Sequence, residues 1–238
     1  MMLMLLFIMQ YAKTTHCATI PFNVIVAKDN SGNFTTVSDA VKAAPKNSKT
    51  RYMIRIKPGR YKERVEIESD LTYISLIGDD VTTTIITFDR NNDPLYAKEN
   101  RQFYKDCKIY GTVDFIFGHA KAVFQDCHIY ARPETLITVT AQNRASDSEV
   151  NGFSFQGCHV EAAPGLTPPQ RANLRVFLGR PWDSGLGADT SKRVNWKGYH
   201  DVKKWMEADW FTVAKVIDGD SWVPETSVPY RSGLRIVS

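Results

Sequence analysis

Val37, Ala40, Val41 and Ala44 recur at helical spacing and stop at Pro45, which predicts a short helix ending before the proline. It follows a turn-forming run, Asp29-Asn30-Ser31-Gly32-Asn33. Beyond it the apolar pattern changes to short β-branched and aromatic runs over residues 52–56, 65–67, 71–77 and 84–88. Gly59, Gly78 and the Asp79-Asp80 pair supply the turns between these predicted strands. Over 111–118, Gly-Thr-Val-Asp-Phe-Ile-Phe-Gly, alternation predicts another strand. Val113, Phe115 and Phe117 would share one face, Asp114 and Ile116 the other.

The strands repeat. Tyr104-Lys105-Asp106-Cys107-Lys108-Ile109 returns as Phe124-Gln125-Asp126-Cys127-His128-Ile129 and as Phe155-Gln156-Gly157-Cys158-His159-Val160. Self-similarity at 20 and 31 residues, with no amphipathic helix between the copies, predicts an all-β, parallel β-helix (solenoid). Cys107, Cys127 and Cys158 would stack inward as small apolar residues, and the spacing leaves open whether Cys107 and Cys127 are thiols or a bridge. His128 and His159 share one repeat position and predict an outer ladder. The helix would cap the open end of the solenoid and protect its first edge.

An aspartate inside the apolar run at 111–118 opposes strand propensity and, if buried, solvation. Alone, Asp114 would read as a salt-bridged structural residue. Asp93, 21 residues upstream, changes this, because a coil of that length stacks the two carboxylates on neighbouring turns. The formal net charge of +4 is mild and carries no long Lys/Arg run of the kind that binds nucleic acid. The five histidines show no metal-ligand spacing, no Ser–His–Asp order is visible, and no Gly-rich phosphate loop occurs, so neither metal nor cofactor is predicted. Trp196, Trp205, Trp210 and Trp222 read as packing residues and Lys203-Lys204 as solvated surface. Residues 1–9 are nearly all apolar but too few to span a bilayer. With a cut near Cys17-Ala18, 1–18 fits a secretory leader without the usual basic start, leaving 19–238 as one domain. In a secreted chain Asn33-Phe34-Thr35 is a glycosylation sequon.

The 111–118 run, Asn100-Arg101-Gln102-Phe103, Thr140-Ala141-Gln142 and Leu178-Gly179-Arg180-Pro181-Trp182 together resemble the plant pectin methylesterases, or pectinesterases. The resemblance begins at Val26-Ala27-Lys28-Asp29 and covers most of 23–234. It implies a right-handed parallel β-helix, secreted to the cell wall as a monomer. Its implied activity is hydrolysis of homogalacturonan methyl esters to pectate and methanol. Pectin and a proteinaceous inhibitor are the implied partners, with no nucleic acid and no membrane span. By the same resemblance Asp114 is the nucleophile, Asp93 the general acid/base and Arg180 the cation that holds Asp114 ionised. Trp182 would stack on a galacturonate ring, while Asn92 and Gln142 would contact substrate.

Departures from the family pattern bear on turnover. A long segment carrying a Gln-Ala-Val-Ala-Leu motif is missing between the counterparts of Asn91 and Asp93, and with it the first oxyanion glutamine. Asn92 stands for the second glutamine, Pro94 for a threonine, and a second gap follows Trp182. An esterase of reduced activity is the leading expectation, a non-catalytic pectin-binding relic or splice product the alternative. A third β-helix enzyme, a pectate lyase, would want a calcium-binding carboxylate cluster that the chain does not display.

Overall fold

The computed structural model describes residues 22–88, 94–135, 137–142, 146, 148–165, 167, 174–175, 184–185, 205–224 and 228–234. Its strands wind in one repeated order around three sheets, and a fourth, two-stranded sheet pairs Ile137–Thr138 with Leu174–Arg175. The first sheet stacks Val24–Val26, Tyr52–Ile56, Ile74–Gly78, Arg101–Lys105, Lys121–Gln125 and Gly152–Gln156. The second stacks Gly59–Lys62, Thr84–Thr87, Lys108–Gly111, His128–Ala131, His159–Ala162 and Ser184–Gly185. The third stacks Val65–Ile67, Leu95–Ala97, Ile116–Gly118 and Thr140–Gln142. Every pairing is parallel and the chain visits first, second and third sheet in turn, which is a parallel β-helix.

Register carries the repeat into the core. Ile54, Leu76, Tyr104, Phe124 and Phe155 align coil over coil on the inward face of the first sheet. Phe124 is fully buried, its ring stacked at 4.4 Å on Tyr104 and 4.8 Å on Phe155. Cys107, Cys127 and Cys158 lie buried below them as free thiols, at the equivalent positions expected. Asp106, Asp126 and Gly157, each just before its cysteine, have φ of 54°, 55° and 62°. The repeated Asp/Asp/Gly is therefore a left-handed corner between first and second sheets, a conformation that short polar residues and glycine tolerate. His128 and His159 face each other across adjacent coils with centroids 4.7 Å apart, the predicted ladder.

The helix forms at Val37–Lys42. Thr36 caps it, accepting from the Asp39 N–H at 3.1 Å and donating to the Asp39 carboxylate at 2.6 Å. Glu63 accepts from the next two amides, Val37 and Ser38, at 3.0 and 2.7 Å. Val37, Ala40, Val41 and Ala44 are buried in the main core, so the helix closes one end of the solenoid.

Three expectations are corrected. Gly59 opens a strand instead of a turn, and the 71–77 run forms strand only over Ile74–Gly78, because Tyr73 takes a positive φ of 56°. The 111–118 run is not one strand. Asp114 sits at φ 50°, so 112–115 form the corner between second and third sheets and the strand begins at Ile116. Phe115 and Ile116 are consequently both buried while Phe117 turns outward, contrary to simple alternation.

The helical segment at 205–223 covers the outer face of the first sheet. Val213, Ile217, Trp222, Val223 and Val228 pack against Met53, Ile77, Phe103 and Val123. Trp222 is a packing residue as expected, its indole N–H donating to the Ile217 carbonyl at 2.9 Å, whereas Trp210 is 72% exposed. Arg231 pins the following residues to the sheet by a fork on Asp126 at 2.6 and 3.0 Å.

Candidate active site

The third sheet carries the candidate site because its outward row is not covered by helix among the described residues. Along that row Glu66, Tyr96, Phe117 and Ala141 are in register on successive coils. Tyr96 and Phe117 stack at 4.4 Å with planes 3° apart, and the Arg64 guanidinium lies 5.9 Å and 5.6 Å from their ring centres. This platform forms the floor of an open cavity of about 520 Å³ that also meets Lys98, Glu99, Gly118, His119 and Ala141. The stacked rings offer edges and outer faces, with charged groups around them, to a sugar ring with polar substituents. Gly118 keeps the floor close-packed: at φ 126° a Cβ there would stand 2.0 Å from the Ala97 carbonyl oxygen on the next coil.

Asp114 stands at the corner that feeds this floor. Its backbone N–H donates to the Thr138 hydroxyl at 2.8 Å, and that hydroxyl donates to the Asp114 carboxylate at 2.5 Å. One side chain thus holds both the left-handed backbone and the carboxylate rotamer. The half-buried carboxylate accepts this one short bond among the described contacts, leaving lone pairs for a reacting group.

Gln142, also expected to touch substrate, lies opposite Gly118 at the edge of the same sheet. Its amide donates to Asn151 at 3.0 Å, Asn151 donates to Glu149 at 3.1 Å, and Glu149 lies 3.2 Å from His119. It is therefore held at the rim beside the platform. Asn92, Asp93, Arg180 and Trp182 lie outside the described residues. The neighbouring register is nonetheless defined: Ile116 pairs with Leu95, a step of 21 residues, the same step that separates Asp114 from Asp93. Among the described residues no group of three or more His, Cys, Asp or Glu is arranged to hold a metal ion.

The aromatic platform was missed in the sequence although the signal was present. Tyr96 and Phe117 are 21 residues apart, the very offset that linked the two aspartates.

The pectinesterase family model matches the chain in two blocks, 23–92 and 86–184. The blocks overlap at 86–92. Pectinesterase 2 of Citrus sinensis is 31% identical over 312 positions, covering 89% of this chain and 61% of the relative. Pectinesterase 2.1 of Solanum lycopersicum is 33% identical over 313 positions, covering 89% and 57%. The chain thus spans about three fifths of the length of these curated relatives. Because 312 aligned positions exceed the 238 residues of the chain, the Citrus relative carries aligned segments with no counterpart here. The pectin methylesterase from carrot superposes with a TM-score of 0.63 at 31% identity, over 91% of this chain and 99% of that one. A pectin methylesterase from Aspergillus niger shares the fold with a TM-score of 0.53 at 18% identity, over 87% and 97%.

Proposed function

Since the chain belongs to the pectinesterase family, we propose that it hydrolyses methyl esters of homogalacturonan, releasing methanol and leaving pectate. The carrying observation is the corner at Asp114. It holds a carboxylate, latched by Thr138, two residues before the strand that carries Phe117 of the aromatic stack.

In this reading an Asp114 oxygen attacks the ester carbonyl carbon, and the oxygen's new bond makes a tetrahedral oxyanion. As the intermediate collapses, the C–O bond to methoxide breaks and protonated Asp93 gives up its proton, so methanol departs. The acyl group remains on Asp114 as an anhydride. Asp93, now ionised, takes a proton from water while the water oxygen attacks the acyl carbon. Galacturonic acid, which then loses its proton to solvent, and a free Asp114 carboxylate result, with Asp93 protonated again. The cycle needs the two carboxyls in opposite protonation states, a difference that like-charge repulsion, and Arg180 in the role the resemblance implies, would maintain. Asn92 and Gln142 would supply polar contacts to the substrate, and Trp182 would stack on a neighbouring sugar.

The domain would be residues 19–238, with 1–18 a secretory leader that places it in the cell wall. A pectinesterase inhibitor protein is the proposed macromolecular partner. Among the described residues no helix is long and apolar enough to cross a membrane. A second reading, a chain that binds pectin without turnover, is favoured by one observation, the family match that comes in two blocks overlapping at 86–92, beside Asn92.

Methanol release from highly methylated pectin separates the two. Asp114→Asn is the variant of choice, because asparagine tolerates the left-handed corner while removing the nucleophile. Turnover that survives Asp114→Asn would overturn the assignment of Asp114, and no release by the parent chain would leave the binding reading.

A further inference from the structure

The outer face of the second sheet is a separate, built surface. Register places Arg60, Ile85, Lys108, His128 and His159 in one outward row. Lys62, Thr87, Tyr110, Tyr130 and Glu161 form the row beside it. Tyr110 and Tyr130 stack at 4.9 Å. Arg60 lies 6.0 Å and Arg132 5.7 Å from the centre of Tyr110, and Lys108 lies 5.5 Å from the centre of Tyr130. Cations are thus held over a rigid aromatic stack instead of swinging free on long side chains. Arg132 is fixed further, donating to the Phe88 carbonyl at 2.7 Å and to the Thr87 hydroxyl.

The charge on this face is one-sided. On the two rows Arg60, Lys62 and Lys108 stand against the single carboxylate of Glu161, and Arg132 follows just past the end of the strand of Tyr130. Burial first, and then the charges of His159 and Lys108, hold His128 below the usual imidazole range, with Glu161 pulling the other way. Arg60 and His159 are exposed and Lys108, His128, Tyr110 and Tyr130 half-exposed, so the surface is open to a ligand. Its charges recur along the solenoid axis at coil spacing, about 4.8 Å per coil. A linear polymer with one carboxylate on every unit can engage several of them at once.

We infer that this face is a second, non-catalytic binding surface for de-esterified homogalacturonan. The identity of the ligand rests on the proposed function, since that polymer is the product of the proposed reaction. The surface would hold a chain already stripped of methyl groups while the floor at Tyr96 and Phe117 meets a methylated stretch.

The test uses the full chain and polygalacturonate, followed by affinity electrophoresis or calorimetry. Replacing both Arg60 and Lys108 by glutamine removes one exposed and one half-exposed charge contact, which should weaken binding roughly two- to thirtyfold. A charge-matched control, Lys49→Gln with Lys215→Gln, should stay within twofold of the parent, and fully methylated pectin should bind both chains alike. Unfolding curves of the variants confirm that each is folded. Equal polygalacturonate affinity in the parent and the Arg60/Lys108 variant overturns the surface, as does equal weakening by the control pair. Methanol release is measured on the same proteins: an inactive chain that still loses polygalacturonate binding on Arg60→Gln/Lys108→Gln sinks the esterase reading and keeps the surface.

Discussion

The single hydroxyl of Thr138 offers the sharpest test of the site. Thr138→Val keeps the shape of the side chain and deletes the atom that both accepts the Asp114 N–H and donates to the Asp114 carboxylate. Two bonds are lost, one of them to a group that is charged when ionised, where a bond contributes about 1.5–3 kcal/mol. Both sites are part-buried, so water repairs some of the loss and the net destabilisation should fall near 1–2 kcal/mol. The effect on turnover should be larger. An unlatched carboxylate no longer faces the ester carbonyl in one rotamer, and misplacement of about 1 Å can cost a factor on the order of 10². Thr138 acts through its bonds to Asp114, so kcat should fall while KM for methylated pectin stays put. Thr138→Ser, which restores the hydroxyl, should recover most of the rate. The assay pairs methanol release with thermal unfolding. A folded Thr138→Val chain turning over within twofold of the parent would refute the latch. A chain that lost stability but not activity would return Asp114 to a purely structural role.

Phe124→Ala should cost about 3–5 kcal/mol in denaturant unfolding, since the ring is fully buried and stacked on both neighbours; a loss under about 1 kcal/mol would mean the coils do not rely on that stack. Asp126 gives a pH signature: burial works to raise its pKa, but the hydrogen bonds and charges of Arg231 and Lys105 outweigh it and leave it below the ordinary carboxylate value. That stabilisation is present above the unfolded-state pKa and is lost as pH falls through the depressed folded value. Arg231→Gln should therefore destabilise the chain at pH 7 and narrow its gap to the parent in strong acid; comparing the two cancels Asp106, which burial shifts upward. Asn92→Gln, which restores the family's second oxyanion donor, should raise methanol release by up to about 10²–10³-fold, and an unchanged rate would show that position 92 does not meet the oxyanion.

What the sequence made legible followed from strict periodicity. The helix over 37–42 was readable because four small apolar residues kept helical spacing and Pro45 closed it. The cysteine stack was readable because an aromatic, a cysteine and a β-branched residue kept their relative places in three coils. Alternation failed at 111–118 because it assumes uniform extended backbone, and one left-handed residue, Asp114, shifts the phase of everything after it. The cover over Met53, Phe103 and Val123 was invisible for a different reason. It comes from helices as short as Val213–Val216, less than two turns long, in which no apolar period has room to declare itself. Of the candidate site, Asp114 and the coil step were legible. Thr138 was not, since its partnership joins residues 24 apart through a corner that only the folded backbone creates.

The winding has a consequence for how such a gene product can lose sequence. Val65–Ile67 pairs directly with Leu95–Ala97, and Thr84–Thr87 with Lys108–Gly111, on either side of 88–92, where the two blocks of the family match overlap. Each coil reads only the angular position of its neighbours, so an excision is invisible to the core when its two ends lie at the same angle around the axis. Deletions in this lineage should therefore be quantised in whole turns. A cut of half a turn would bring a strand of the second sheet against the first, exchange inward for outward side chains, and be removed by selection before it could spread.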